Sequence, residues 1–477
     1  MIVPQRSLIV AGLLTLAVVL PARGQSTTAP ATTSDVAVNV DPTNPGPAIP
    51  PDFAGLSVEM KTILPQPDGT YLFRPDNKPL VALFKTLGIH TFRAGGFSAD
   101  NSRVAVPGPA DLDSFFGFAE AAKLKILYTL RADTDASKDA VTAKYIMDHY
   151  KADVICFDIG NEGGMLAQDY NGYKDVLAAY AAALKTPDCS PDITFSGPNN
   201  VFGQGDQDWA LQLAKDFNPA GPLRMISEHA YLGGNGRAVS DPEAARSEML
   251  SSKWTEKYQS MFDVFGPAAA AAKVPFRIDE TNSFYASGAK DVSDTHASAL
   301  WALDYLHWWA SHGAAGINFH TGDAGAPGNE AASCWYAAYW SSPDGYHAHP
   351  LGYAIKAFDA GSHGAILPVK LANFDNVNLT AYAVLGDDKN LYLTLINKEN
   401  GEHPKDANIT LYIDGYDAVE SLALAAAQND VASTDTETLG NARIGDDGSW
   451  AGTWTAIGGK TLTVAAGSAT VVRLSPR

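Results

Sequence analysis

The chain is poor in cysteine, poor in positive charge and, past its first twenty residues, free of long apolar runs. Three cysteines in 477 residues (Cys156, Cys189 and Cys334) are too few and too odd in number for a disulfide framework. Cys156 lies in the apolar run VICF and reads as a core residue, while a single Cys189–Cys334 bridge stays open for an exported protein. No CxxC, HExxH or calcium-loop spacing occurs, and the HxH at His347 and His349 brings no further ligands. Neither a metal nor another cofactor is therefore expected. Lys and Arg number 34 against 53 Asp and Glu, a formal charge of −19. Nucleic acid and anionic membranes need a basic face, so neither is expected as a partner.

The one long apolar run stands at the start. Residues 7–20 (SLIVAGLLTLAVVL) follow Arg6 and precede Pro21, Ala22 and Gly24. That is the pattern of a secretory signal peptide over 1–24, and the run is short for a membrane span. A secreted or periplasmic mature protein follows as the expectation. The Ser/Thr/Ala/Pro-rich stretch 25–34 reads as a flexible linker.

The rest is core-forming, with 46% hydrophobic and 18% charged residues. Residues 35–48 open with DVAVNV, which alternates as a strand does. Over 49–362 short apolar runs alternate with helical stretches. The runs are LSVEM (56–60), HTFRA (90–94), ILYTL (126–130), VICFDI (154–159), ITFSG (193–197), MISEHAY (225–231), FRIDE (276–280) and GINFH (316–320). Residues 111–123, 173–185 and 293–313 are the clearest helices, and Trp301, Trp308 and Trp309 in the last are expected in the core. Parallel strands buried on both faces read as apolar runs and need such crossovers, so a (β/α)8 barrel is predicted. Over 363–477 helical periodicity gives way to strand-like runs between Gly-, Asn- and Asp-rich turns. This predicts a C-terminal antiparallel β-sandwich, which the 35–48 strand would join.

In such a barrel, functional groups project from the C-terminal strand ends. Glu162, in FDIGNEGG after the fourth strand, and Glu280, closing the seventh, would share one mouth. Glycosidic cleavage needs such a pair, one carboxyl to protonate the leaving oxygen and one to attack or stabilise the oxocarbenium-like carbon. Taken singly, either glutamate would equally suit an ion pair or a helix cap.

Asn-Glu after strand four and a glutamate closing strand seven resemble the clan A glycoside hydrolases. By that resemblance Glu162 would be the acid/base, Glu280 the nucleophile, and Asn161 a donor to the sugar 2-hydroxyl. SEHAY (227–231) is similar to the clan's His-x-Tyr, placing His229 in the mouth and the Tyr231 hydroxyl near the nucleophile. ETNSFYASGAKDVSDTHASALWALDYL (280–306), LSVE and FRAGG resemble glycoside hydrolase family 79, which holds β-glucuronidases and heparanase. The resemblance implies a retaining exo-acting β-glucuronidase whose uronate carboxylate is held by Tyr285 and the backbone of Ala286 and Ser287, with Glu59 on sugar hydroxyls. Two departures stand out. Ala286-Ser287 replaces consecutive glycines, and Gly163 replaces the proline that many clan members carry after Asn-Glu. No basic cluster for a sulfated polymer is visible, and a −19 chain suits a short β-glucuronide or a glucuronate cap on a polysaccharide. A clan A enzyme for a neutral sugar, and a non-catalytic carbohydrate-binding protein, are the alternatives.

Two further features invite a reading. Trp335, Tyr336, Tyr339 and Trp340, in the long loop after strand eight, would either stack on sugar or cover the rim. Asn378 and Asn408 begin N-x-Thr sequons, relevant only where a host glycosylates exported proteins.

Overall fold

Eight parallel strands close on themselves, each packed by its neighbours in chain order. The computed structural model describes residues 32–132, 135–202, 209–217, 221–322 and 334–477. The expected signal peptide (1–24), residues 25–31 of the expected linker and residues 323–333 of the loop after the last barrel strand lie outside the described residues. A first strand, β1 (Thr32–Val40), precedes the barrel strands. These are β2 (Ala54–Glu59), β3 (Thr91–Gly95), β4 (Lys125–Leu130), β5 (Val154–Ile159), β6 (Phe195–Val201), β7 (Leu223–Tyr231), β8 (Phe276–Asn282) and β9 (Ile317–His320), with β9 paired to β2. All eight apolar runs of the sequence are barrel strands, as their two-sided burial requires.

The crossovers follow local chemistry. Pro109–Ala122 starts with proline in its first turn, where a missing N–H costs nothing, and Asp111 accepts the Gly108 N–H at 2.8 Å. His296–Ser311 is buried on nearly all sides, Trp301, Trp308 and Trp309 included. It starts three residues later than the periodicity suggests, because Thr295 is extended and turns its hydroxyl back to the Val292 carbonyl (2.8 Å). No described helix is long and apolar enough to cross a membrane.

The barrel floor is polar rather than aliphatic. Arg277 enters it from β8 and donates to Asn318 Oδ1 (2.7 Å), Thr91 Oγ1 (2.6 Å) and the carbonyls of Ala315, Asp52 and Phe53. Gly316 makes room for it, since a Cβ there would stand 2.4 Å from the guanidinium carbon.

Beyond the barrel come a hairpin, β10 (Tyr339–Ser342) and β11 (Gly345–Ala348), and then the β-domain. Its strands are β12 (Gly364–Leu367), β13 (Val369–Asn373), β14 (Leu379–Gly386), β15 (Leu391–Asn397), β16 (Lys405–Ile413), β17 (Tyr416–Ala425), β18 (Thr438–Leu439), β19 (Thr455–Ala456), β20 (Thr461–Val464) and β21 (Ser468–Pro476). One sheet runs β13-β1-β16-β20. The other runs β12-β14-β15-β21-β17-β18, with β19 beside β17. β1 lies antiparallel to β13 but parallel to β16, so the first sheet is mixed rather than purely antiparallel. β1 also begins at Thr32, inside the stretch read as linker. Val36, Val38 and Val40 alternate inward and meet Ile409 and Leu411 of β16 and Leu393 and Leu395 of β15 in a second core. The outer face of the larger sheet docks on His296–Ser311. There a buried Asp304 takes hydrogen bonds from Thr380 (2.7 Å) and Tyr382 (2.8 Å) and pairs with Lys398 (2.8 Å).

All three cysteines are free and buried, so the Cys189–Cys334 bridge left open by the sequence is not formed.

Candidate active site

At the C-terminal ends of the strands, acids outnumber bases around one guanidinium. Arg93 of β3 is fully buried. Its Nε donates to Asp158 Oδ2 (2.9 Å) and lies 3.4 Å from Asp279 Oδ2. Nη1 donates to Glu280 Oε2 (2.8 Å), and Nη2 to Asn161 Oδ1 (3.2 Å). Asp279 and Glu280 are consecutive, yet both reach Arg93. A regular strand would send them to opposite faces. Register shifts in the β7–β8 pairing, where Asp279 is skipped between Ile278 and Glu280, and between β8 and β9 from Ile278 to Thr281, re-aim this end of the sheet.

Glu280 accepts the Tyr231 hydroxyl at 2.7 Å, and His320 Nδ1 stands 3.7 Å away. Burial pushes its pKa up, but His320, His229, Arg93 and the Tyr231 bond outweigh this and hold it far below the usual carboxylate range. Tyr231 itself, buried beside Glu280, is held well above the ordinary phenol value. Glu162 caps the short helix Gly163–Leu166 in extended conformation, with its side chain partly open to solvent. Its Oε1 lies 3.2 Å from His229 Nδ1. One oxygen of Glu162, one of Glu280 and one nitrogen of His229 fall within 4.8 Å of one another. Glycine at 163, in place of the proline, has a steric reason: a Cβ there would come within 2.7 Å of the Pro198 carbonyl oxygen.

Glu59 stands at the edge of this group. It accepts the Ser98 N–H at 2.8 Å and has His320 Nε2 at 3.7 Å. Burial opposes its ionisation, but His320 and Ser98 prevail and lower its pKa. Asn161 accepts from Arg93, and its own N–H donates to Asp100 Oδ2 at 2.7 Å. A cavity of about 460 Å³ opens beside it, walled by Phe97, Asp100, Arg103 and Met165. Glu59, Asn161, Glu162, His229, Tyr231 and Glu280 are thus joined through Arg93, His320 and direct contacts.

Tyr285, Ala286 and Ser287 lie further out. The Tyr285 ring stands edge-on to Tyr231 at 6.4 Å. Ala286 (φ 61), Ser287 (φ 71) and Gly288 (φ 85) form three consecutive left-handed residues, which costs a non-glycine roughly 1–2 kcal/mol. The N–H groups of Ala286 and Ser287 make no hydrogen bond with a described residue. The turn lines a second cavity of about 360 Å³ with Arg237, Lys290 and Trp335. Of the loop aromatics, Tyr336 is buried against Tyr231 and His320, and Tyr339 packs on Phe84 in the core. Trp335 and Trp340 remain partly exposed.

Sequence reasoning left Arg93, Asp158, Asp279 and His320 without a role. Arg93 and His320 do sit in the quoted strand ends FRAGG and GINFH, and an arginine in an otherwise apolar strand was a usable signal. Among the described residues a second trio, His90, Asp359 and His363, also brings three potential metal-ligand atoms within 4.8 Å, at the opposite end of the barrel.

No protein-family model matches the chain. A stretch of 221 residues is 25% identical to a hyaluronoglucuronidase of Hirudo nipponia, covering 41% of this chain and 42% of that protein. Among solved structures, a 4-O-α-L-rhamnosyl-β-D-glucuronidase from Fusarium oxysporum superposes with a TM-score of 0.69 at 18% identity, over 91% of this chain and 99% of that one. A family 51 arabinofuranosidase from Xanthomonas axonopodis pv. citri gives 0.67 at 18% identity, over 93% and 100%. A family 44 endoglucanase from Clostridium thermocellum gives 0.60 at 13%, over 93% and 100%. The chain shares the whole two-part architecture of these glycoside hydrolases.

Proposed function

We propose that this protein is a retaining, exo-acting β-glucuronidase that removes β-linked glucuronic acid, or its 4-O-methyl ether, from glycosides or polysaccharide side chains. One observation carries the mechanism: carboxylate oxygens of Glu162 and Glu280 lie within 4.8 Å of each other. Direct attack with a covalent intermediate calls for carboxyls about 5–5.5 Å apart, whereas an interposed water needs about 6.5–9.5 Å. Glu280, ionised and oriented by Arg93 and Tyr231, attacks the anomeric carbon, forming the C–O bond as the leaving oxygen departs. Glu162 gives that oxygen its proton and then takes one from the water that releases the sugar. Asn161 uses its remaining amide hydrogens on the 2-hydroxyl, and Glu59 binds hydroxyls at the pocket edge.

The sugar assignment draws support from the turn after β8. A carboxylate suits the N–H groups of Ala286 and Ser287, which have no partner among the described residues, together with the half-exposed Tyr285. Ala286 and Ser287 hold the left-handed backbone that glycines would take freely, so the donors survive the change of side chain. The names of the Hirudo nipponia relative and the Fusarium neighbour point to the same sugar. The arabinofuranosidase and endoglucanase neighbours favour a neutral sugar, the second reading. Nitrophenyl glycosides separate the two. The β-glucuronide is expected to be cleaved and the β-glucoside, β-galactoside, β-xyloside and α-L-arabinofuranoside to be inert. Cleavage of a neutral glycoside with an inert glucuronide overturns the assignment. Export to the periplasm or medium, with loss of residues 1–24, belongs to the same proposal and is checked by the N-terminus of the mature protein.

A further inference from the structure

Three carboxylates crowd Arg93, and they are not equally provided for. Asp158 accepts from Arg93, Thr129 Oγ1 (3.2 Å) and Ser196 Oγ. Glu280 accepts from Arg93 and Tyr231. Asp279, fully buried, lies 3.4 Å from Arg93 Nε but has no hydrogen-bond donor on either oxygen among the described residues. Facing it at 3.8 Å is His229 Nε2, also buried and also without a partner. Two buried polar atoms 3.8 Å apart, each without a partner among the described residues, are costly unless a hydrogen joins them.

We propose that Asp279 is a positioning residue. It carries a proton, donates it in a hydrogen bond to His229 Nε2, and so keeps the imidazole hydrogen on Nδ1, aimed at Glu162. One cation cannot satisfy three buried anions, and the carboxyl with no donors is the one that stays neutral. A protonated Asp279 needs an acceptor, and His229 Nε2 is within a small rotation of the carboxyl. With Nε2 accepting, the neutral ring bears its hydrogen on Nδ1, 3.2 Å from Glu162 Oε1. That hydrogen occupies Oε1 and leaves the acid proton of Glu162 on Oε2, toward the leaving oxygen. Once Glu162 has given this proton away, the same Nδ1–H stabilises the anion. No proton leaves the Asp279–His229 pair in either step.

The groups around Asp279 agree with a neutral carboxyl. Arg93 from β3 favours its ionisation, and so would His229 from β7 were its ring charged; burial lowers the His229 pKa, but Glu280 and Glu162 outweigh this and raise it. Asp158 from β5 and Glu280 beside it in β8 oppose ionisation of Asp279. Cys156, Tyr173 and Arg277 lie within electrostatic reach as well. Burial is the largest influence, and with Asp158 it raises the pKa to about 7.

The inference rests on Glu162 being the acid/base, and its test has one arm that does not. In that arm, imidazole ¹⁵N spectra of the native protein, with His229 identified by its loss in H229N, report the tautomer directly. A neutral ring with hydrogen on Nδ1 at pH 6 is expected. Hydrogen on Nε2, or an imidazolium, overturns the proposal whatever the enzyme cleaves. In the second arm, Asp279→Asn supplies an N–H to Nε2 but cannot ionise. It should keep kcat/KM within about threefold of native at pH 5–6, with its alkaline fall-off moved upward by at least about one pH unit. Asp279→Ala removes the donor and should lose at least about tenfold, mainly in kcat. Equal losses in both variants, or an unchanged pH profile in Asp279→Asn, also overturn it. If Glu162→Gln were fully active, the acid/base reading would fail while the tautomer result stood.

Discussion

Two arginines lie fully buried in this barrel, and their surroundings are opposites. Arg277, near the floor, is surrounded by neutral acceptors, and burial lowers its pKa. Arg93, at the mouth, sits among Asp158, Asp279 and Glu280, and the carboxylate charge there outweighs its burial and raises its pKa. A guanidinium satisfied by neutral oxygens is a packing element, a polar plug where most barrels use aliphatic layers. A guanidinium with more carboxylates than it can serve leaves buried acids underserved, which a fold tolerates where chemistry needs them. The difference separates structure from function within one barrel.

The largest test of that contrast is at Glu280, the proposed nucleophile. Glu280→Gln should lower kcat by at least about 10⁴-fold and also lower the melting temperature near neutral pH, because His320, His229, Arg93 and Tyr231 favour the ionised carboxylate. Exchanging the arginines for methionine should split the two roles. Arg93→Met is expected to lose about 10³-fold in kcat by misplacing Glu280 and Asn161, with a modest change in denaturant midpoint. Arg277→Met strands Asn318, Thr91 and three carbonyls, and should cost roughly 3 kcal/mol of stability with nearly native kcat in the folded fraction. If Arg277→Met proved the more damaging to turnover, the distinction would collapse.

Smaller effects sharpen the same picture through pH. Asp279, Asp294 and Glu437 are raised to about 7, chiefly by burial, whereas in the unfolded chain such groups titrate near pH 4. Between these values the folded protein holds more protons, so these groups make it less stable as pH rises from about 4 to 7. Glu280 and Asp359, held far below the ordinary range against the opposing effect of burial, act in reverse. Their stabilisation is present above about pH 4 and lost in acid. Denaturant midpoints from pH 4.5 to 7.5 should decline more steeply for native protein than for Glu437→Gln. The smallest expected effect lies outside the Arg93 cluster. Tyr285→Phe should raise KM for a nitrophenyl β-glucuronide about tenfold and leave kcat within about threefold. An unchanged KM would remove the tyrosine from carboxylate binding.

Much of the barrel was legible because a strand buried on both faces must be written as an apolar run, and eight such runs are present. Glu162 and Glu280 stood out for a related reason, as acids just past or closing the C-terminal ends of apolar runs. Asp158 and Asp279 were hidden by the same rule, since each sits within a strand where a reader counts hydrophobicity. The register shifts that let adjacent Asp279 and Glu280 share Arg93 have no sequence signature at all. The cavity that pairs Arg237 with Lys290 depends on two loops meeting, which periodicity does not report. β1 was readable as a strand from its alternation. Its parallel pairing with β16 was not, because both neighbours present the same alternating pattern.

The most direct measurement is to trap the intermediate. A 2-deoxy-2-fluoro-β-glucuronide with a good leaving group slows release of the sugar more than its attachment. Intact mass should then rise by one fluoroglucuronosyl unit, and peptide mapping should locate it on Glu280, with no label on Glu280→Gln. Labelling of another carboxylate, or turnover of a β-glucuronide with inversion at the anomeric carbon, would contradict the account.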